Sequence, residues 1–276
     1  MLISVIISTY NKPQFLNKVI EGLQFQSDSN FEIVVADDGS GSSTRDLIKK
    51  WQEQSVVPVT HAWQDDLGFR VSESRNNAVR HSKGDYFIFI DGDCIPRYHF
   101  VAHHRQLSEK NYVVAGNRCL LSDRLTRDIV DRNLPVNFSR FDLIRLRLSG
   151  DLNRLDALLS VSPTAKFRYS HPKKWQRLRG CNIGIWKDDF VKVNGFDSSF
   201  IGWGFEDSDL AARLINAGVK IKSGTFSTAL LHLYHKESDE KREGHNWERF
   251  QYVLKSGDIY PIQGLFPLET MSKCNL

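Results

Sequence analysis

The stretch Tyr86-Phe87-Ile88-Phe89-Ile90-Asp91-Gly92-Asp93 decides how the rest of the chain is read. Its first five residues leave no polar position to spare, the pattern of a strand covered on both faces inside a parallel sheet. Two carboxylates separated by one glycine follow at once. Such a turn can hold a divalent cation, and the glycine lets a diphosphate approach the backbone. A lone D-x-D is more often an ordinary turn, but here the strand holds the acids at a sheet edge.

Upstream, Ile3 to Ser8 is an apolar, β-branched run of strand length. Asn11 and Pro13 after it predict the N-cap and first turn of a helix. Phe15, Leu16, Val19, Ile20 and Leu23 then recur at helical spacing. Phe31 to Ala36 predicts a second buried strand, ending in Asp37-Asp38-Gly39-Ser40. A helix over Ser43 to Gln54, a strand over Val56 to His61, the polar loop Gln64 to Arg70 and a helix over Ser72 to His81 complete a β-α-β-α-β alternation. A helix from Phe100 to Lys110 and a strand from Tyr112 to Ala115 close this half. Three successive strands thus deliver acidic loops at their C-terminal ends, where open parallel sheets bind ligands. Asp38 is placed to accept hydrogen bonds from a nucleobase or ribose, and Arg75 to pair with a phosphate. The plainer alternatives are a tight turn and a solvated arginine.

The chain has 276 residues, 41% of them hydrophobic, with 37 Lys and Arg against 33 Asp and Glu. That describes one large α/β domain, or a domain with an appended subdomain, and excludes intrinsic disorder. No apolar run approaches the roughly 20 residues of a membrane span, and the opening MLISVIISTYN lacks the basic flank of a signal peptide. A cytoplasmic protein is expected, at most touching the inner face of a membrane. Cys94, Cys119, Cys181 and Cys274 form no C-x-x-C pair and read as reduced thiols. No nucleic-acid module is recognisable. The charge is uneven: residues 118 to 179 carry 14 Lys and Arg against 6 Asp and no Glu, so the remainder is net acidic. Phe141, Ile144, Leu148, Leu155 and Leu158 recur there at roughly helical spacing, predicting a helical or mobile basic insertion.

Order returns with a strand-like piece from Gly180 to Trp186 and a turn at Asn194 to Asp197. Next comes Gly202-Trp203-Gly204-Phe205-Glu206-Asp207-Ser208-Asp209, opening a helix that ends before Gly218. Acids in a first turn complement the helix dipole, and Ser208 or Asp209 would cap it. That does not explain a tryptophan between two glycines, which suits a backbone that must bend or approach a ligand. A tryptophan face beside carboxylates is a sugar platform with a general base next to it. Last, His232-Leu233-Tyr234-His235 carries two imidazoles three residues apart, able to complete a cation site with Asp93.

In order and spacing, Val5-Ile6-Ile7-Ser8-Thr9-Tyr10-Asn11, Asp37-Asp38-Gly39-Ser40, Asp91-Gly92-Asp93 and Gly202-Trp203-Gly204-Phe205-Glu206-Asp207 resemble the family 2 glycosyltransferases. The resemblance covers most of residues 1 to 116 and 180 to 236. It implies a GT-A fold, a mixed and mostly parallel sheet flanked by helices, here with a helical basic insertion. The later part also resembles β-1,4-galactosyltransferases and bacterial chondroitin-type polymerases. By this resemblance Thr9, Asp38, Asp66, Arg75, Asp91 and Gly92 hold a UDP-sugar, and Asp93, His235 and His232 hold Mn²⁺ or Mg²⁺. Asp207 is then the catalytic base, Glu206 its neighbour at the sugars, and Trp203 the acceptor platform. The implied domain comprises residues 1–236: a nucleotide-binding half to 116, the insertion over 118–179 and an acceptor half from 180. Residues 237–276 form an extension.

The implied reaction is inverting, metal-dependent transfer from a UDP-sugar (galactose, glucose or an N-acetyl form) to a carbohydrate or lipid-linked glycan hydroxyl, in lipopolysaccharide or capsular polysaccharide synthesis. The basic insertion would give peripheral membrane contact. A silent nucleotide-sugar or glycan-binding protein on the same fold is the alternative from another class. A sugar-phosphate nucleotidyltransferase needs a glycine-rich basic loop where Thr9-Tyr10-Asn11-Lys12-Pro13 stands, and a Rossmann dehydrogenase needs a G-x-G-x-x-G that is missing.

Overall fold

The computed structural model describes residues 1–236 and 243–267. Strand β1 (Ile3–Thr9) pairs in parallel with β2 (Phe31–Asp37) on one side and β4 (Tyr86–Asp91) on the other. Outside β2 lies β3 (Val59–Trp63), also parallel. Beyond β4 the antiparallel β8 (Asn182–Trp186) is followed by β6 (Tyr112–Ala115) and β9 (Lys220–Ser223), giving seven strands in the order β3-β2-β1-β4-β8-β6-β9. A second, three-stranded sheet sets β10 (Leu230–His232) between β5 (Cys94–Ile95) and β7 (Arg118–Leu120).

Alternation along the central strands builds two cores. Ile3, Val5, Ile7, Ile33, Val35, Ile88 and Ile90 face helix α1 (Pro13–Gln24), which offers Leu16, Val19, Ile20 and Leu23, and helix α2 (Ser42–Gln54), which offers Ile48. Ile6, Val34, Ala36, Phe87 and Phe89 point the other way, toward α3 (Val71–His81), α7 (Lys187–Lys192) and α8 (Glu206–Asn216). Both faces are covered, as an uninterrupted apolar strand requires.

Some expected boundaries move for identifiable reasons. Asn11 does not cap α1: its φ is +48° and its side chain accepts from Gly41 N–H at 2.9 Å, while Lys12 takes the cap position. The strand expected from Val56 begins at Val59, because Val56 N–H is held by the Gln24 side chain and Pro58 has no N–H to donate. Helix α4 (Phe100–Leu107) stops short of Lys110 because a turn closes from Tyr112 N–H to Glu109 O and Asn111 is left-handed.

The basic stretch is partly helical, with α5 (Asp123–Val130), α6 (Arg140–Leu148) and three single 3-10 turns. It is stitched into the body rather than appended. β7 completes the small sheet, and fully buried Arg168 donates to the carbonyls of Val161, Ser162, Ser223 and Thr225 and to Ser227 Oγ. Helix α9 (Glu243–Ser256), in the expected extension, packs Phe250 against Phe200, Ala212, Trp175 and Phe205. Cys94, Cys119 and Cys181 are buried free thiols, and Cys274 lies outside the described residues. Among the described residues no helix is long and apolar enough to cross a membrane.

Candidate active site

Register places the acidic loops together. Ser8 pairs with Asp91 and Thr9 with Asp37, so the ends of three parallel strands finish at one level. At the second of these, Asp37 is buried. Burial alone would raise its pKa, but His61 Nε2 at 2.8 Å and the Ser40 N–H hold it below the ordinary carboxylate value. This pair fixes the turn that presents Asp38.

Asp38 is itself buried, one oxygen accepting from Gln64 Nε2 at 2.7 Å and the other from Arg70 N–H at 2.6 Å, and burial pushes its pKa up. Its carboxylate ties the β3–α3 loop to the β2 turn. Gly39 makes this junction possible: φ is +95° and a Cβ there would lie 2.5 Å from the Asp66 Cα. Asp66 faces solvent and accepts from Tyr10 Oη at 2.8 Å. Thr9, Tyr10, Asp38 and Asp66 thus line one rim. At Gly92 a Cβ would come within 2.8 Å of Ser8 O, so only glycine lets the acidic turn sit against β1.

Arg75, expected at a phosphate, has a side chain only 3% exposed that bridges protein groups: Nε donates to Ser8 Oγ (3.0 Å), Nη2 to Asp91 Oδ1 (3.2 Å) and Nη1 to Glu206 Oε1 (3.4 Å). Its face stacks over Phe196, and a Cβ at Gly180 would collide with it at 2.8 Å. Burial raises Asp91 despite this cation. It raises Glu206 to about 7, Asp207's charge adding to the effect and Arg75 opposing it.

Glu206 and Asp207 open α8 after Phe205, whose φ of +69° breaks the chain direction. Neither Ser208 nor Asp209 caps the helix. Asp209 instead forms a buried pair with Arg213 one turn on, at 2.6 Å. Asp207 accepts from Gly180 N–H at 2.9 Å and stays partly exposed. The two glycines take φ of +81° and +109°, which projects Trp203 outward at 60% exposure. Gly202 N–H donates to Phe69 O, and Asn246 of α9 donates to Ile201 O and Gly204 O. Asn246 was missed from sequence; a single amide on a distant helix carries no local signal.

The small sheet assembles the group that could hold a cation. His232 lies opposite Cys94, and Leu233 N–H donates to Asp93 O. Asp93 therefore sits between His232 Nε2 at 3.4 Å and His235 Nε2 at 3.1 Å, one imidazole on each oxygen. Burial pushes His232 down to about 4, which keeps it neutral as a ligand must be, while hydrogen bonding to Asp93 raises His235. Cys94 Sγ clusters with Asp93 and His232, but burial holds its thiol well above its usual value. One carboxylate and two imidazoles suit a divalent cation of intermediate hardness.

A glycosyl transferase family 2 model matches residues 4–154, and a model for the N-terminal domain of galactosyltransferase matches residues 162–236. Validoxylamine A glucosyltransferase of Streptomyces hygroscopicus subsp. jinggangensis is 30% identical over 226 residues, 79% of this chain and 52% of the relative. Chondroitin synthase of Escherichia coli is 24% identical over 87% of this chain and 35% of its own length. The chain thus spans about half the length, or less, of these curated relatives. Among solved structures, S. aureus TarS 1-349 in complex with UDP superposes with a TM-score of 0.59 at 16% identity, covering 93% of this chain and 65% of that one. The mannosyltransferase PcManGT from Pyrobaculum calidifontis, in complex with GDP-Man and Mn²⁺, superposes at 0.56 and 15%, covering 90% and 60%. These structures share the fold.

Proposed function

This chain belongs to glycosyl transferase family 2, and from that premise we propose that it transfers a sugar from a UDP-sugar to a carbohydrate hydroxyl with inversion. The observation that carries the reading is the Arg75 bridge. One buried guanidinium joins Asp91, beside the cation ligands, to Glu206, beside Asp207, so donor and acceptor groups meet at one sheet edge.

In this reading Thr9, Asp38 and Asp66 hold the nucleoside, with Asp91 and Gly92 at the ribose and diphosphate, and Trp203 stacks on the acceptor ring. Asp207 accepts the proton as the acceptor oxygen bonds to the anomeric carbon and the bond to UDP breaks on the opposite face. Asp93, His232 and His235 would hold Mn²⁺ or Mg²⁺, which supplies charge compensation for the departing diphosphate. A second assignment of the base has a specific support: Glu206, at about 7, lies near the pH at which a base works best.

The reading extends to a cytoplasmic role in lipopolysaccharide or capsular polysaccharide synthesis, with a lipid-linked acceptor and membrane contact through residues 118–179. A thermal-shift panel of UDP-sugars with and without Mn²⁺, followed by UDP release for each stabilising donor, tests it. Stabilisation by one donor with metal-dependent release is expected; stabilisation without release would make this a binding protein.

A further inference from the structure

Helix α6 has two apolar stripes. Leu143 is fully buried and Leu146 packs beside it, while Phe141, Ile144 and Leu148 project from the other side at 80%, 43% and 82% exposure. At 100° per residue these three fall within about 60° of one another, with Arg145 on one flank and Arg140 and Arg147 on the other. A complete capping box, Ser139 with Asp142, defines where the helix begins. An apolar stripe between arginines is the pattern of a helix lying in a bilayer interface.

Arg140 also lines a cavity of about 270 Å³ with Arg97, His99 and His103, and no carboxylate lines it. Among the described residues neither arginine side chain has an ion pair or hydrogen bond. Burial disfavours the charge on Arg97, and Arg140 disfavours it further. Two guanidinium groups lining one cavity that no acid lines are a site for an anion, and a phosphate suits their forks. Exposed Tyr98 and Leu159 line the same cavity. It is separate from the site above: none of Asp91, Asp93, His232, His235, Glu206 and Asp207 is among the residues that line it.

We propose that this cavity and the outer stripe of α6 dock the protein on an anionic bilayer, Arg97 and Arg140 taking a headgroup phosphate while Phe141, Ile144 and Leu148 enter the acyl boundary. The excess of eight cations over residues 118–179 favours a phospholipid surface over an apolar protein partner. The inference deepens the membrane part of the proposed function, and UDP release from a soluble acceptor is read separately, so that failure of docking and failure of transfer are distinguishable.

The test is co-sedimentation of the full chain with phosphatidylcholine vesicles, with and without phosphatidylglycerol. Wild type should partition strongly only onto the anionic vesicles. Arg97→Gln and Arg140→Gln should each lower partitioning about five-fold, and Phe141→Ser with Leu148→Ser at least about ten-fold, with melting temperature and soluble UDP release unchanged. Absence of binding to anionic vesicles, or binding indifferent to either set of substitutions, overturns the proposal. So does concentration-dependent self-association that Phe141→Ser abolishes without vesicle binding. Stabilisation by inorganic phosphate in a protein that ignores vesicles would assign the cavity to a soluble anion and overturn docking as well.

Discussion

Arg75 Nη1 lies 3.4 Å from Glu206 Oε1, joining two residues 131 positions apart in a place almost closed to solvent. The same guanidinium reaches Asp91 and Ser8, so removing it strands two carboxylates at once. Breaking a buried pair from one side costs about 3–5 kcal/mol. We expect Arg75→Met to lower the melting temperature by several degrees, each kcal/mol being worth about 2–4 °C at this size. Adding Glu206→Gln should recover part of the loss, since the stranded charge is then gone. A double-mutant cycle by urea unfolding measures this, and strict additivity would show that the pair is not coupled.

Asp207→Asn should lower the turnover rate by about 10²–10⁴ with UDP-sugar binding retained. Glu206→Gln provides the contrast. If it produces the larger fall while Asp207→Asn stays within a few-fold of wild type, the proton goes to Glu206. Single-turnover measurements on both variants, with donor affinity checked by calorimetry, decide between them.

His235→Ala removes one of the two imidazoles on Asp93. The Mn²⁺ concentration giving half-maximal UDP release should rise more than about ten-fold, while the metal-free melting temperature changes little because His235 is about one-third exposed. An unchanged metal requirement would remove His235 from the ligand set.

His104 sets an acid limit on stability. It is fully buried, and burial pushes its pKa from 6.5 to about 3. The unfolded chain therefore binds the proton preferentially between those values. Stability from this residue is complete above about pH 6.5 and falls with acid, at up to about 1.4 kcal/mol per pH unit until pH approaches 3. Urea unfolding at pH 7.5, 6.0 and 5.0 should show this slope, and His104→Gln should reduce it. An unaltered slope would place the acid sensitivity elsewhere, His232 being the next group displaced in the same direction.

Much of the fold was legible because the central strands bury both faces and the helices bury one stripe, and both patterns are local. Tyr86 to Ile90 had no polar residue to turn outward, so the acidic turn after it had to stand at the sheet edge. The acids at Asp91, Asp93, Glu206 and Asp207 stand out as candidates from local context in the same way. Arg75 could be read as a phosphate partner or a helix arginine, but nothing nearby in sequence indicates that Ser8, Asp91 and Glu206 converge on it. The Asn246 contacts to the Trp203 loop are equally silent.

By itself, then, the sequence determined the alternation of elements, the acidic turns at the strand ends and the bent Gly202-Trp203-Gly204 loop, since burial periodicity and left-handed backbone are properties of neighbouring residues. Only the tertiary structure decided that His232 on β10 and His235 just after it come onto Asp93, that one Arg75 guanidinium joins Ser8, Asp91 and Glu206, and that α6 turns Phe141 and Leu148 outward. Those outcomes depend on strand register and on which helix face finds a partner, and both are set by packing between segments that no local pattern connects.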